Sequence, residues 1–171
     1  IIEDLILKND SLLFNYDGTE YNMVMGTKNE KEEAFWKIRR FIIESDRESL
    51  VPRLKAVCND RVTDLYAFTK ELALTWEQVS VLSSHPLVTI GAHTVNHLAL
   101  SKLTDNEVIT EISDSVSIIR DKTGEEISYL AYPMGSKSEA GMREEGVAGR
   151  CGIKLAFMAI SGNIYRHHSE A

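Results

Sequence analysis

Leu87-Val88-Thr89-Ile90-Gly91-Ala92-His93-Thr94-Val95-Asn96-His97 is the stretch that decides how this chain folds. Its first half, Leu87 to Gly91, is a short apolar run that predicts a buried strand. Its second half sets two imidazoles four residues apart. On one helical turn that spacing lets both rings face the same way, close enough to share a metal ion. The pair then stands at the carboxyl end of the strand, where α/β architectures place their chemistry.

Working outward, residues 75–171 alternate helix and strand. Thr75-Trp76-Glu77-Gln78 has the form of a capping box and opens a helix that stops before Pro86. Thr104-Asp105-Asn106-Glu107 is a second one, opening a helix whose core stripe carries Val108, Ile112, Val116 and Ile119 and which ends at Thr123-Gly124. Tyr129 to Tyr132 reads as a strand closed by Pro133-Met134-Gly135. A helix over 137–150 and a strand over 154–159 continue the rhythm. Strands separated by helices imply a parallel sheet with crossover connections.

Residues 1–74 have a different character. Leu12, Phe14 and Tyr16 alternate up to Asp17-Gly18, and Tyr21, Met23 and Met25 alternate after it. Asp-Gly suits a two-residue hairpin turn whose central residues both have positive φ. A charged helix over 28–44 follows, with Ala34, Phe35, Ile38, Phe41 and Ile42 as its apolar stripe. Two shorter helices are expected at 47–58 and 62–68. This part is read as a hairpin and helical insertion or subdomain, its charge runs being solvated helix faces.

The chain has 171 residues, 43% hydrophobic and 26% charged, enough for a real core. A net charge of -7 argues against a nucleic-acid surface, and no apolar stretch has the length of a membrane span. Cys58 and Cys151 lack metal-type spacing and read as free thiols. The beginning at Ile1 without Met and the end at Ala171 both read as cuts through a longer protein. The location of that protein is left open by the sequence.

The segment Ile90 to Leu98, followed by Leu103-Thr104 and a long helix, resembles the H-[ST]-x-x-H metal motif of the polysaccharide deacetylase family. Leu130-Ala131-Tyr132-Pro133-Met134-Gly135 is similar to that family's strand ending in an aromatic, Pro and Gly turn. Gly152-Ile153-Lys154-Leu155-Ala156-Phe157 is similar to its next strand. The resemblance implies an α/β fold, part of a distorted (β/α)7-type barrel. It implies a hydrolase that removes N- or O-acetyl groups from an acetylated polysaccharide or oligosaccharide with the help of a divalent metal, usually zinc. Carried over residue by residue, His93 and His97 are the metal ligands and Thr94 braces the turn between them. The backbone N–H near Met134 donates to the oxyanion, Tyr132 and Pro133 shape the groove wall, and Gly135 supports the bend.

The same comparison shows departures. The family's T-F-D-D-G motif, which carries the base and a third ligand, has no counterpart; Asn15-Tyr16-Asp17-Gly18 is the nearest likeness and reads as a turn. No catalytic residue is therefore assigned in this chain. His167 and His168 lack the context of the family's late histidine motif, His85 reads as a surface or capping residue, and Ala131 stands where the family commonly has Arg. The expectation is a chain catalytically silent by itself, binding zinc weakly, whose open strand edges invite self-association. The alternatives are a non-catalytic glycan-binding or scaffold domain of the same fold and an unrelated metallohydrolase. A zincin is disfavoured, because Thr94 stands where its Glu would be.

Overall fold

The computed structural model describes residues 2–46, 48–58 and 65–162. The chain divides into two compact units, Ile1–Ala73 and Leu74–Ala171, each considered by itself.

The first unit opens with helix α1 (Ile2–Lys8), which the sequence pattern had not disclosed, and a hairpin of β1 (Ser11–Tyr16) and β2 (Thr19–Val24). Its register pairs Tyr16 with Thr19 across Asp17 and Gly18, whose φ values of 50° and 72° are the left-handed pair that the Asp-Gly turn requires. Helix α2 (Lys28–Ile43) starts at a Thr27–Glu30 capping box and buries Ala34, Ile38 and Phe41. Phe14 and Tyr21 stack across the hairpin at 4.7 Å, and Phe41 closes on both. The Lys31 ammonium reaches back to the carbonyls of Ile6 and Asn9, which a helix C-terminus leaves without partners. That contact ties down α1. Helices α3 (Leu50–Cys58) and α4 (Leu65–Leu72) complete the unit. Of the expected helix at 62–68, residues 62–64 lie outside the described residues.

The second unit begins with α5 (Trp76–Ser83), capped by Thr75 and Gln78. Helix α6 (Asp105–Thr123) is capped by Thr104 and Glu107 and ends at Gly124 with φ 75°. Strand β3 (Tyr129–Ala131), α7 (Met142–Arg150) and β4 (Leu155–Phe157) follow. β3 and β4 are parallel, with Leu130 opposite Ala156. Leu130 is buried while Tyr129 and Ala131 face outward, so the helices pack on one face of the pair. Val108 and Ile112 of α6, Val147 and Ala148 of α7, and Leu130 form the centre of the core.

Two expectations are corrected. The run at 87–91 is not a buried strand. Leu87 is 89% exposed, Val88 N–H closes a turn on His85 O, and pairing is confined to one parallel bridge between Ala92 and Leu130. An apolar run becomes a strand only where an edge accepts its hydrogen bonds, and β3 accepts one residue. The helix expected over 137–150 starts at Met142. Ser136, Ser138 and Glu139 bond to one another and to local backbone instead, the competition with helix that short polar side chains offer. The fold is mixed α/β. Among the described residues the strands form two two-stranded sheets and no closed barrel.

Ile112 is fully buried at the centre of this unit. Ile112→Ala is expected to lower unfolding stability by about 2–5 kcal/mol. Urea denaturation checks it, and a loss well under 1 kcal/mol would show that the α6 face is not close-packed.

Candidate metal centre

The bridge at Ala92 delivers the chain to His93. Ala92 N–H donates to Tyr129 O at 2.8 Å and Ala131 N–H donates to Ala92 O at 3.0 Å. Gly91 permits that approach, because a Cβ there would stand 3.1 Å from Tyr129 O. On the far side Leu98, Ala99 and Leu100 are buried. The pentad is thus an exposed loop anchored at both ends by apolar burial.

The pentad is not a helical turn, contrary to the expectation from its spacing. Thr94 and His97 have φ of 62° and 54°, left-handed values that cost a residue with a Cβ about 1–2 kcal/mol each. These turns nevertheless bring the imidazoles together, with ring centroids 4.8 Å apart and planes at 71°. Thr94 Oγ1 accepts from His97 N–H at 3.2 Å.

His93 Nδ1 lies 2.7 Å from Ala131 O. A carbonyl can only accept, so Nδ1 carries a proton, and Nε2 is the ring nitrogen left to act as a ligand. This is the outer hydrogen bond that orients metal-binding histidines and fixes their tautomer. Partial burial, and secondarily the neighbouring His93, push His97 below the usual imidazole range, which favours its neutral, ligating form. Two imidazoles on one tetrahedral zinc, with bonds of about 2.1 Å, have ring centres about 5 Å apart, and the observed separation is of that size. Among the described residues no third His, Cys, Asp or Glu joins the pair.

Sequence reasoning missed Glu111. It is 4% exposed on the buried stripe of α6, between Val108 and Ser115. Its Oε2 accepts from Val95 N–H at 3.0 Å and Asn96 N–H at 2.8 Å, and its Oε1 accepts from the Asn96 side-chain amide. The signal was available: a carboxylate adjacent to Ile112 and three residues past Val108 interrupts an apolar stripe, and a buried carboxylate needs donors.

Beyond Ala131 the chain bends sharply. Met134 has φ 62°, and Gly135 N–H closes a three-residue turn on Pro133 O at 2.6 Å. Gly135 has φ 67°, and a Cβ there would meet Ala159 N at 2.4 Å, so the bend lies directly on the segment after β4. Gly135 O in turn accepts from Ala159 N–H at 3.0 Å. Tyr132 and Pro133 lie beneath the surface rather than along it: Tyr132 is 6% exposed within the core, and Pro133 is fully buried. A ring so enclosed presents little of its face at the surface. Burial, with the charges of Glu145 and Glu144, pushes the Tyr132 phenol up to about 12, so it stays protonated and cannot act as a base. Met134 is half-buried, and its N–H makes no hydrogen bond among the described residues.

Asp17 is the first residue of the hairpin turn in the other unit. His85 is exposed and its Nδ1 accepts from Leu87 N–H at 3.2 Å, a capping contact. His167 and His168 fall outside the described residues. Cys58 is buried and Cys151 half-buried, both as free thiols.

The polysaccharide deacetylase family profile matches residues 33–164. No curated protein matches the chain. A solved structure, the Streptococcus pyogenes deacetylase PplD in complex with acetate, is similar at 23% identity with a TM-score of 0.48, covering 55% of this chain and 42% of that one. The chain therefore spans less than half the length of that structure. With the family profile covering well over half of its residues, His93, His97 and the Tyr132–Gly135 bend included, the chain belongs to the polysaccharide deacetylase family.

Proposed function

We propose that this chain is the part of a metal-dependent polysaccharide deacetylase that holds a divalent cation, zinc, between His93 and His97, and that the whole protein removes N- or O-acetyl groups from a polysaccharide or oligosaccharide. The observation that carries this reading is the paired geometry of the two rings, 4.8 Å apart, with the His93 tautomer set by Ala131 O. When bound, such a cation polarises an acetyl carbonyl and lowers the pKa of water towards neutrality.

The chain's own residues then divide the work. His93 offers Nε2 because Nδ1–H is committed to Ala131 O, and His97 is kept neutral by its surroundings. Thr94, through its bond to His97 N–H, braces the turn that carries the second ring. The Met134 N–H is the donor for the carbonyl oxygen as it gains charge, a role best filled by a group that needs no reorganisation. Tyr132, Pro133 and Gly135 support that donor from below, with Gly135 seated against Ala159. The chain has no counterpart of T-F-D-D-G, so neither base nor third ligand is assigned to it, and alone it is expected to release no acetate.

Zinc titration by calorimetry tests the pair. The wild-type chain is expected to bind one ion, and His93→Ala and His97→Ala each to weaken binding by about 10–100-fold or more. Equal affinity in all three proteins sinks the assignment. Gly135→Ala is expected to cost roughly 3 kcal/mol in thermal unfolding, since the new Cβ meets backbone rather than a flexible side chain. An unchanged melting temperature would show that the bend yields and is no rigid support for Met134.

A further inference from the structure

Between the two left-handed residues of the pentad, the Val95 and Asn96 N–H groups converge on one oxygen, Glu111 Oε2, at 3.0 and 2.8 Å. Successive backbone N–H groups beside a left-handed residue form a concave anion seat. Here the seat is filled from within the chain, by a carboxylate reaching from α6. All three partners of Glu111 are donors, and all three belong to the residues between the rings. Among the described residues no cation pairs with it. A buried charge satisfied only by the loop it touches is ill explained by the packing of its own helix.

We propose that Glu111 is the positioning residue of the histidine pair: by seating the Val95 and Asn96 amides it holds Thr94 and His97 left-handed and keeps the two imidazoles side by side. Without that carboxylate the two amides turn towards water. Thr94 and His97 then relax to the right-handed or extended conformations that residues with a Cβ prefer, and the rings separate. The geometric part of this proposal stands on the structure alone. Its consequence for zinc rests on the reading of His93 and His97 as ligands.

The test compares the 171-residue wild type with Glu111→Ala, Glu111→Gln and Ile112→Ala. Gln keeps an oxygen for both backbone amides, and Asn96 can turn its own amide to meet the new NH2. Ile112→Ala destabilises the same helix turn without touching the loop. In the metal-free protein the nuclear Overhauser cross-peak between the His93 and His97 rings is expected to vanish in Glu111→Ala, with faster exchange of the Val95 and Asn96 amides. Glu111→Gln and Ile112→Ala are expected to keep both signals. Zinc affinity should fall about 10–100-fold in Glu111→Ala, as for other outer partners of metal-binding histidines, and stay near wild type in the other two. A cross-peak that survives in Glu111→Ala, or is lost equally in Ile112→Ala, overturns the proposal. If Glu111→Ala does not fold, Glu111→Asp, one methylene too short to serve both amides, is read in its place. A wild type that binds no zinc sinks the metal reading, and the metal-free cross-peak still decides the role of Glu111.

Discussion

One parallel bridge, Ala92 against Leu130, is the constraint on which the second unit depends. It brings the chain to β3 for a single residue and then releases it, so the next side chain, His93, stands beside the last residue of β3. The same peptide neighbourhood supplies the Ala131 carbonyl that orients the His93 ring. Because β3 runs directly into the Tyr132–Gly135 bend, the bridge also places His93 beside the start of that bend. A longer strand at 87–91 would carry this registry no better; one pair of hydrogen bonds is enough to set it.

Backbone strain gathers around that registry. Among the described residues, the non-glycine positions with positive φ are Asp17, Thr94, His97 and Met134. Asp17 is accounted for by its hairpin turn. The other three fall in the pentad and the bend. Residues held in left-handed conformations persist only where their surroundings over-determine them. Here those surroundings are identifiable: Glu111 and the Thr94 hydroxyl at the pentad, buried Pro133 and the Gly135–Ala159 contact at the bend. Strain of this kind is an observation from which function is inferred, and it coincides with the stretches that resemble the family's motifs.

What the sequence disclosed was what is local. The capping boxes at Thr75 and Thr104 and the Asp17-Gly18 turn are decided by neighbours within four residues, and all three stand as read. The histidine pair was legible as a pair, but its backbone was not. A four-residue spacing suggests a helix, whereas this geometry is imposed by Glu111 from fifteen and sixteen residues away. Helix α1 is not legible in the sequence for a similar reason. It has seven residues, and what secures it is the burial of Leu5 and Ile6 and the reach of Lys31 across more than twenty positions. The strand expected at 87–91 failed in the opposite direction, since apolar composition says nothing about whether a partner edge is present. The buried position of Tyr132 also lies beyond composition, because an aromatic residue beside a bend suits a groove and a core equally well.

The two motifs are mechanically one object. Ala131 N–H is bonded to Ala92 O, Ala131 O is bonded to the ring of His93, and the next residue, Tyr132, is bonded through its N–H to Phe157 O on β4. Any displacement of β3 therefore moves the His93 ring and the start of the oxyanion bend together. The His97 ring is governed differently, through the loop amides and α6. The relative placement of the two rings then depends on two separate attachments, Ala131 O for His93 and Glu111 for the loop that carries His97. The ring-to-ring distance is thus set where the loop amides meet the Glu111 carboxylate, and the apolar core beneath supplies the helix from which that carboxylate reaches.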